Sequence, residues 1–126
     1  MDQFFGIGID VVEIDRIERA LARHPRLEAR LFTPAESRYC RSRTHPARHF
    51  AARFAAKEAA LKALGTGIRG VRWVDVEVSR GELGQPLIAL SRGAAGLAEE
   101  LGVTRLCASL SLGRDSAVAA VVALRS

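Results

Sequence analysis

Sulfur, lysine and aromatic side chains are all scarce in this 126-residue chain. Its two cysteines, Cys40 and Cys107, lie far apart and have no metal-ligand spacing. That excludes a cysteine-rich zinc module; one disulfide stays open as the alternative, and we read both cysteines as core-type thiols of a reducing compartment. Aromatic residues make up 6% of the chain. So few stacking platforms, with no RNP-like or helix-turn-helix pattern, speak against a nucleic-acid partner. The opening "MDQFFGIGID" lacks a basic n-region and does not read as a signal peptide. The longest apolar run, "AVAAVVAL", is too short to span a bilayer. A cytoplasmic protein with no membrane partner is expected, forming one domain over residues 1–126.

Arginine and small apolar residues are what the chain has in quantity. The net charge is +5 and hydrophobic residues reach 48%. A sequence pI near 10.2 favours an anionic partner, whether nucleic acid, a phosphorylated small molecule, an acidic protein or a membrane surface. A small basic nucleic-acid-binding domain therefore stands as an alternative on charge alone.

Along the chain, "QFFGIGIDVV" alternates and reads as a strand, with Phe5, Ile7, Ile9 and Val11 on one face and Gly6, Gly8 and Asp10 on the other. A helix with Ile14, Ile17 and Leu21 as its stripe follows, and "RLEARLF" adds a helical turn or two. "TPAE" is a capping box, with Thr33 as N-cap and Glu36 reaching back. Pro46 opens a long helix that Gly65 stops. "VRWVDVEVSR" and "PLIAL" are strands around a turn, and "SRGAAGLAEELG" is a helix closed by Gly102. "RLCASLSL" and "SAVAAVVAL" form a hairpin around "GRD". The order β-α-α-α-β-β-α-β-β predicts an α+β fold with a small, mainly antiparallel sheet packed with helices.

Two carboxylates stand out. Glu58 falls with Phe50, Phe54 and Leu61 on the stripe of the long helix. An unpaired ion there would be costly to bury. Its ordinary explanations are snorkelling, a backbone contact, or pairing with Lys62 four residues on. Asp10 sits between glycines on its strand face, which suggests open space beside the backbone; its ordinary reading is a cap for the next helix. Together the two could hold a hard divalent ion, while Arg53, Lys57 and Lys62 offer cations for phosphates. Lys57 and Lys62 are the only lysines of the chain.

"GIGIDVVEIDRIERA", "FAARFAAKEAALKALGTG", "WVDVEVSRGELGQP" and "ASLSLGRDSAVAAVV" resemble, in order and nearly end to end, the motifs of holo-acyl-carrier-protein synthase. This is the small class of 4′-phosphopantetheinyl transferases. The resemblance implies transfer of the phosphopantetheine arm of coenzyme A to a serine of an acidic apo acyl carrier protein, of fatty acid biosynthesis or another pathway. Adenosine 3′,5′-bisphosphate is the by-product. It implies magnesium held by Asp10 and Glu58, and catalytic roles for Asp10, Glu58 and Lys62. It also implies coenzyme A contacts from Arg53, Lys57, Lys62, Gly65 and Ser111, a carrier contact at Arg16, and a homotrimer with sites between subunits. One position departs. The family pattern S-x-S-H ends here in Leu112, where the resemblance associates the histidine with the coenzyme A 3′-phosphate. Arg114 is a candidate substitute; His24, His45 and His49 do not match the position. A catalytically weakened binding or scaffold module is the corresponding alternative.

Overall fold

A computed structural model describes residues 1–65 and 70–126. Strand β1 (Gln3–Glu13) leads into helices α1 (Ile14–Arg23), α2 (Leu27–Leu31), α3 (Pro34–Arg41) and α4 (Pro46–Ala63). Strands β2 (Val76–Arg80) and β3 (Pro86–Leu90), helix α5 (Arg92–Leu101), and strands β4 (Val103–Leu112) and β5 (Ser116–Arg125) complete the chain. Among the described residues four helices, rather than three, separate β1 from β2, because "RLEARLF" closes its own short helix. The capping box forms as read: the Thr33 hydroxyl accepts from the Glu36 N–H and the Glu36 carboxylate from the Thr33 N–H.

All strand pairing is antiparallel, but the strands divide into two sheets, β1-β5-β4 and the hairpin β2-β3. β2 also starts later than its alternation suggests. Trp73–Asp75 form a single 3-10 turn, closed by the Asp75 carboxylate accepting from the Arg72 N–H at 3.2 Å.

Helix α4 is the centre of the molecule. Ala55, Ala56, Ala59 and Ala60 are fully buried, and Ala117, Ala119, Val121 and Ala123 are equally buried on β5. Small side chains on both surfaces let helix and sheet approach closely. The glycines of β1 serve that approach rather than leaving space for a ligand. A Cβ on Gly8 would lie 2.0 Å from the Ala59 carbonyl oxygen, and one on Gly6 would lie 2.2 Å from that of Ala63. Neither contact can relax without moving helix backbone. Gly8→Ala should therefore destabilise the fold by at least the 1–3 kcal/mol or so typical of an overpacked core. A urea midpoint unchanged from the parent protein would refute this.

The other face of the sheet is uncovered in the single chain. Ile7, Ile9 and Val11 are 55%, 56% and 60% exposed. Cys107, Ser109 and Ser111 of β4 point the same way and are exposed, so Cys107 is not a core thiol. Cys40 is buried, and its burial pushes the thiol pKa up to about 11. No helix among the described residues is long and apolar enough to cross a membrane.

Candidate active site

Asp10 and Glu58 meet. They line one cavity of about 580 Å³ with Arg16, Ile17, Leu31 and Phe54. Asp10 lies on the α4-facing side of β1, two residues beyond the glycine that lets the helix in close. Glu58 is not on an apolar stripe of the usual kind. Helix α4 is buried around most of its circumference, and Glu58 lies on one of its few half-open positions, facing the cavity. Burial raises its pKa above the usual carboxylate range, and the charge of Asp10 adds to the rise; Lys62 and Arg16 oppose it. An acid held above its normal pKa by burial and by a second acid is short of positive charge.

Lys62 reaches across to β1 instead of pairing along its own helix. Its ammonium donates to Asp10 Oδ1 at 3.0 Å and to the Ile9 carbonyl at 3.1 Å, and remains half-exposed. It thus places a cation at the mouth of the two-carboxylate site.

Lys57 is a correction. It is fully buried and forms an ion pair with Glu36 at 2.8 Å. It also donates to the carbonyls of Trp73, at 3.1 Å, and of Val76. An ammonium has three donors, and all three are used within the protein, so none is left for a coenzyme A phosphate. Desolvation lowers its pKa, with Glu36 opposing. Glu36 further accepts from the Val78 N–H at 2.7 Å. In the sequence Glu36 shows only its cap; the signal for more is a rare lysine with no carboxylate partner on its own helix face.

Arg53 faces a different cavity from the carboxylates. It is 2% exposed, its guanidinium stacks 4.1 Å from the Tyr39 ring centroid, and its Nε has no hydrogen-bond partner. This cavity, of about 190 Å³, is shared with Arg80, Gly84, Pro86 and Ser109. Ser111 lies on the uncovered face of the sheet, opposite to Asp10, so within one chain the structure does not bring it to the carboxylates. Leu112 is on the other side, half-buried against the core. Arg114 lines a separate cavity with Glu13, Asp15, Glu18 and Asp115. Gly65, at φ +80°, follows the end of α4; the loop after it, 66–69, lies outside the described residues.

A two-carboxylate site bordered by a lysine, with an arginine pocket on the same central helix, has the parts of a phosphate-transfer enzyme. The family model of the 4′-phosphopantetheinyl transferase superfamily matches residues 6–122. The chain belongs to this superfamily. Holo-[acyl-carrier-protein] synthase of Moorella thermoacetica is 52% identical over 117 residues, covering 93% of this chain and 90% of that protein. The crystal structure of holo-[acyl-carrier-protein] synthase from Neisseria meningitidis superposes with a TM-score of 0.89 at 36% identity, covering 96% of this chain and 98% of that one. The Helicobacter pylori enzyme, solved in complex with coenzyme A, superposes with a TM-score of 0.82 at 34% identity, covering 93% and 98%. With these relatives the α+β transferase fold is settled.

The residues present suit a hard divalent ion. Among the described residues no third carboxylate, histidine or cysteine joins Asp10 and Glu58. Two carboxylates with room for water and phosphate oxygens match the habit of magnesium, not the closed cage of a structural zinc.

Proposed function

We propose that this protein is a holo-acyl-carrier-protein synthase, which transfers the 4′-phosphopantetheine arm of coenzyme A to a serine of an apo acyl carrier protein. The observation that carries the reading is the convergence of Asp10, Glu58, Lys62 and Arg16 at one cavity, in a chain about half identical to proteins of that name.

Asp10 and Glu58 would hold magnesium, which when bound supplies positive charge against the diphosphate of coenzyme A. The serine oxygen forms a bond to the phosphorus that carries the pantetheine arm. The bond from that phosphorus to the bridging oxygen breaks, and adenosine 3′,5′-bisphosphate leaves with that oxygen. Lys62, fixed by Asp10 and the Ile9 carbonyl, places its charge where negative charge grows on the leaving group. Glu58 lies in the same cavity as an acceptor for the serine proton. Arg16, on the first helix beside that cavity, presents positive charge to an acidic carrier.

The carboxylates and Arg53 line separate cavities in one chain, and the apolar face of β1 is uncovered. Both features support a homotrimer in which a neighbour covers that face and lends its arginine pocket to the nucleotide. The free state of both cysteines fits a reducing, cytoplasmic setting.

Incubation with coenzyme A, magnesium and an acidic apo carrier should add one phosphopantetheine arm to the carrier, read by intact-protein mass spectrometry. Arg16→Ala should raise the carrier KM several-fold and flatten its salt dependence, with the coenzyme A KM unchanged. Absence of transfer to several carriers would favour the binding-module reading instead.

A further inference from the structure

The helix that carries Arg16 starts without a cap of its own. Glu13 stands at the N-cap of α1 and makes no side-chain hydrogen bond to it. The first N–H groups of a helix have no partner within it. Here the first of them, on Ile14, donates at 2.9 Å to the Asp115 carbonyl, in the turn between β4 and β5. Strand pairing runs up to this junction and ends at Glu13 opposite Ser116. Beyond it, α1 and the turn part around a cavity of about 550 Å³, which Asp15, Glu18 and Arg114 help to line. The turn is itself held. The Gly113 N–H closes it on the Ser116 carbonyl at 2.8 Å, and Arg48 of α4 donates to the Gly113 carbonyl at 3.2 Å. Arg48 takes part in no ion pair among the described residues, so its guanidinium is anchored on main chain.

We infer that the β4–β5 turn is a positioning element for carrier recognition: clamped by Arg48, it holds the first turn of α1 through the Asp115 carbonyl and so aims Arg16 at the carrier. The inference rests on the carrier reading of Arg16 above. Arg16 is the third residue of α1 and lines the cavity of Asp10 and Glu58. Arg48 is accordingly a positioning residue, which acts through the turn and touches neither substrate.

The physical ground is preorganisation. An uncapped helix end frays, and a side chain on a frayed turn must be ordered when its partner binds. A first turn pinned to a strand connection is ordered beforehand, and β5 on that connection packs its small side chains against α4. Ile14→Pro removes the N–H. Proline suits the first helical position. Glu13, at φ −72° and ψ 125°, already has the extended backbone that a following proline requires. Ile14→Val, which trims the side chain and keeps the N–H, controls for packing. Arg48→Ala releases the turn from its other side.

Steady-state transfer to an acidic apo carrier, with each substrate varied in turn, tests this in the intact protein. Ile14→Pro and Arg48→Ala should each raise the carrier KM by about two- to tenfold, the range one ordinary hydrogen bond transmits. The coenzyme A KM, and kcat at saturating carrier, should hold. Ile14→Val should match the parent, and Arg48→Lys, which keeps a donor, should restore most of the carrier KM. The double variant should be no worse than the weaker single one, because both changes break one path. The effect should persist at high salt, where a direct contact of Arg48 with carrier acids would be screened. By NMR hydrogen exchange, the Ile14 amide of the parent should be protected, and less so in Arg48→Ala. A parental carrier KM in both variants, whatever their Tm, overturns the inference. So do additive losses, a rise confined to the coenzyme A KM of Arg48→Ala, or an Ile14 amide unprotected in the parent. A parent protein that transfers nothing to any carrier overturns the transferase reading beneath it.

Discussion

Glu58→Gln is expected to remove transfer activity and, at the same time, to make the free protein more stable at pH 7. The two effects have one cause. Burial and the neighbouring Asp10 raise the pKa of Glu58 in the folded protein above its unfolded value. Between those two values the native state binds more protons than the unfolded one, so stability falls as pH rises through the window. At neutral pH the ionised Glu58 is a strained presence, which glutamine relieves. The advantage of the variant should disappear as pH drops below about 4.5, where the parent carboxyl is neutral in both states. Activity moves the other way. Loss of one preorganised charge at a phosphate-transfer site costs on the order of 10²–10³-fold in kcat. Asp10→Asn should cost comparably, with the added release of Lys62 from its 3.0 Å contact. Magnesium should raise the Tm of the parent protein by mass action and leave Glu58→Gln nearly unaffected. Thermal melts with and without magnesium, beside steady-state transfer assays, test all of this. Near-parental kcat in both variants would sink the assignment.

Lys57→Met should produce the largest loss of stability of any single change considered, about 3–5 kcal/mol. The side chain is wholly buried, and Glu36 is 2% exposed beside it. Removing the ammonium leaves a buried carboxylate without its counter-charge and two carbonyls, of Trp73 and Val76, without their donor. A typical domain has only about 5–15 kcal/mol in hand, so this variant should be close to unfolding at 37 °C. Adding Glu36→Gln removes the stranded charge and keeps one acceptor oxygen, for either the Thr33 or the Val78 N–H, which Glu36 serves with its two separate oxygens. The double variant should therefore be more stable than Lys57→Met alone, which denaturant titration reads directly. If Lys57 instead touched coenzyme A, its loss would raise the coenzyme A KM without weakening the fold, and that result would restore the phosphate-binding role withdrawn here.

Much of the chain was legible before any coordinates. The Thr33–Glu36 capping box, Pro46 at the head of α4, Gly102 as a left-handed stop and the hairpin of β4 with β5 are set by contacts a few residues apart. Such signals are written locally, so they survive reading one window at a time. The order of four motifs likewise pointed to the family, and with it to Asp10 and Glu58 as a pair, although neither carboxylate meant much alone.

What the tertiary structure decided are the questions that periodicity cannot pose. A helical stripe reports burial on one side, and α4 is buried on several, between the sheet, α1 and β2; its alanines carry no preference for any of them. The glycines of β1 look the same in sequence whether they admit a ligand or a helix, and only the 2.0 Å approach of Ala59 shows which. Lys62 pairs with a carboxylate on strand β1 rather than with the one four residues away, and Lys57 pairs with Glu36 on another helix. The two lysines flank Glu58 in sequence, yet one is sealed in the core and the other stands at the cavity. Sequence spacing determines which residues share a helix; the surfaces packed around that helix determine which of them keep company with water, and so which remain free to act on a substrate.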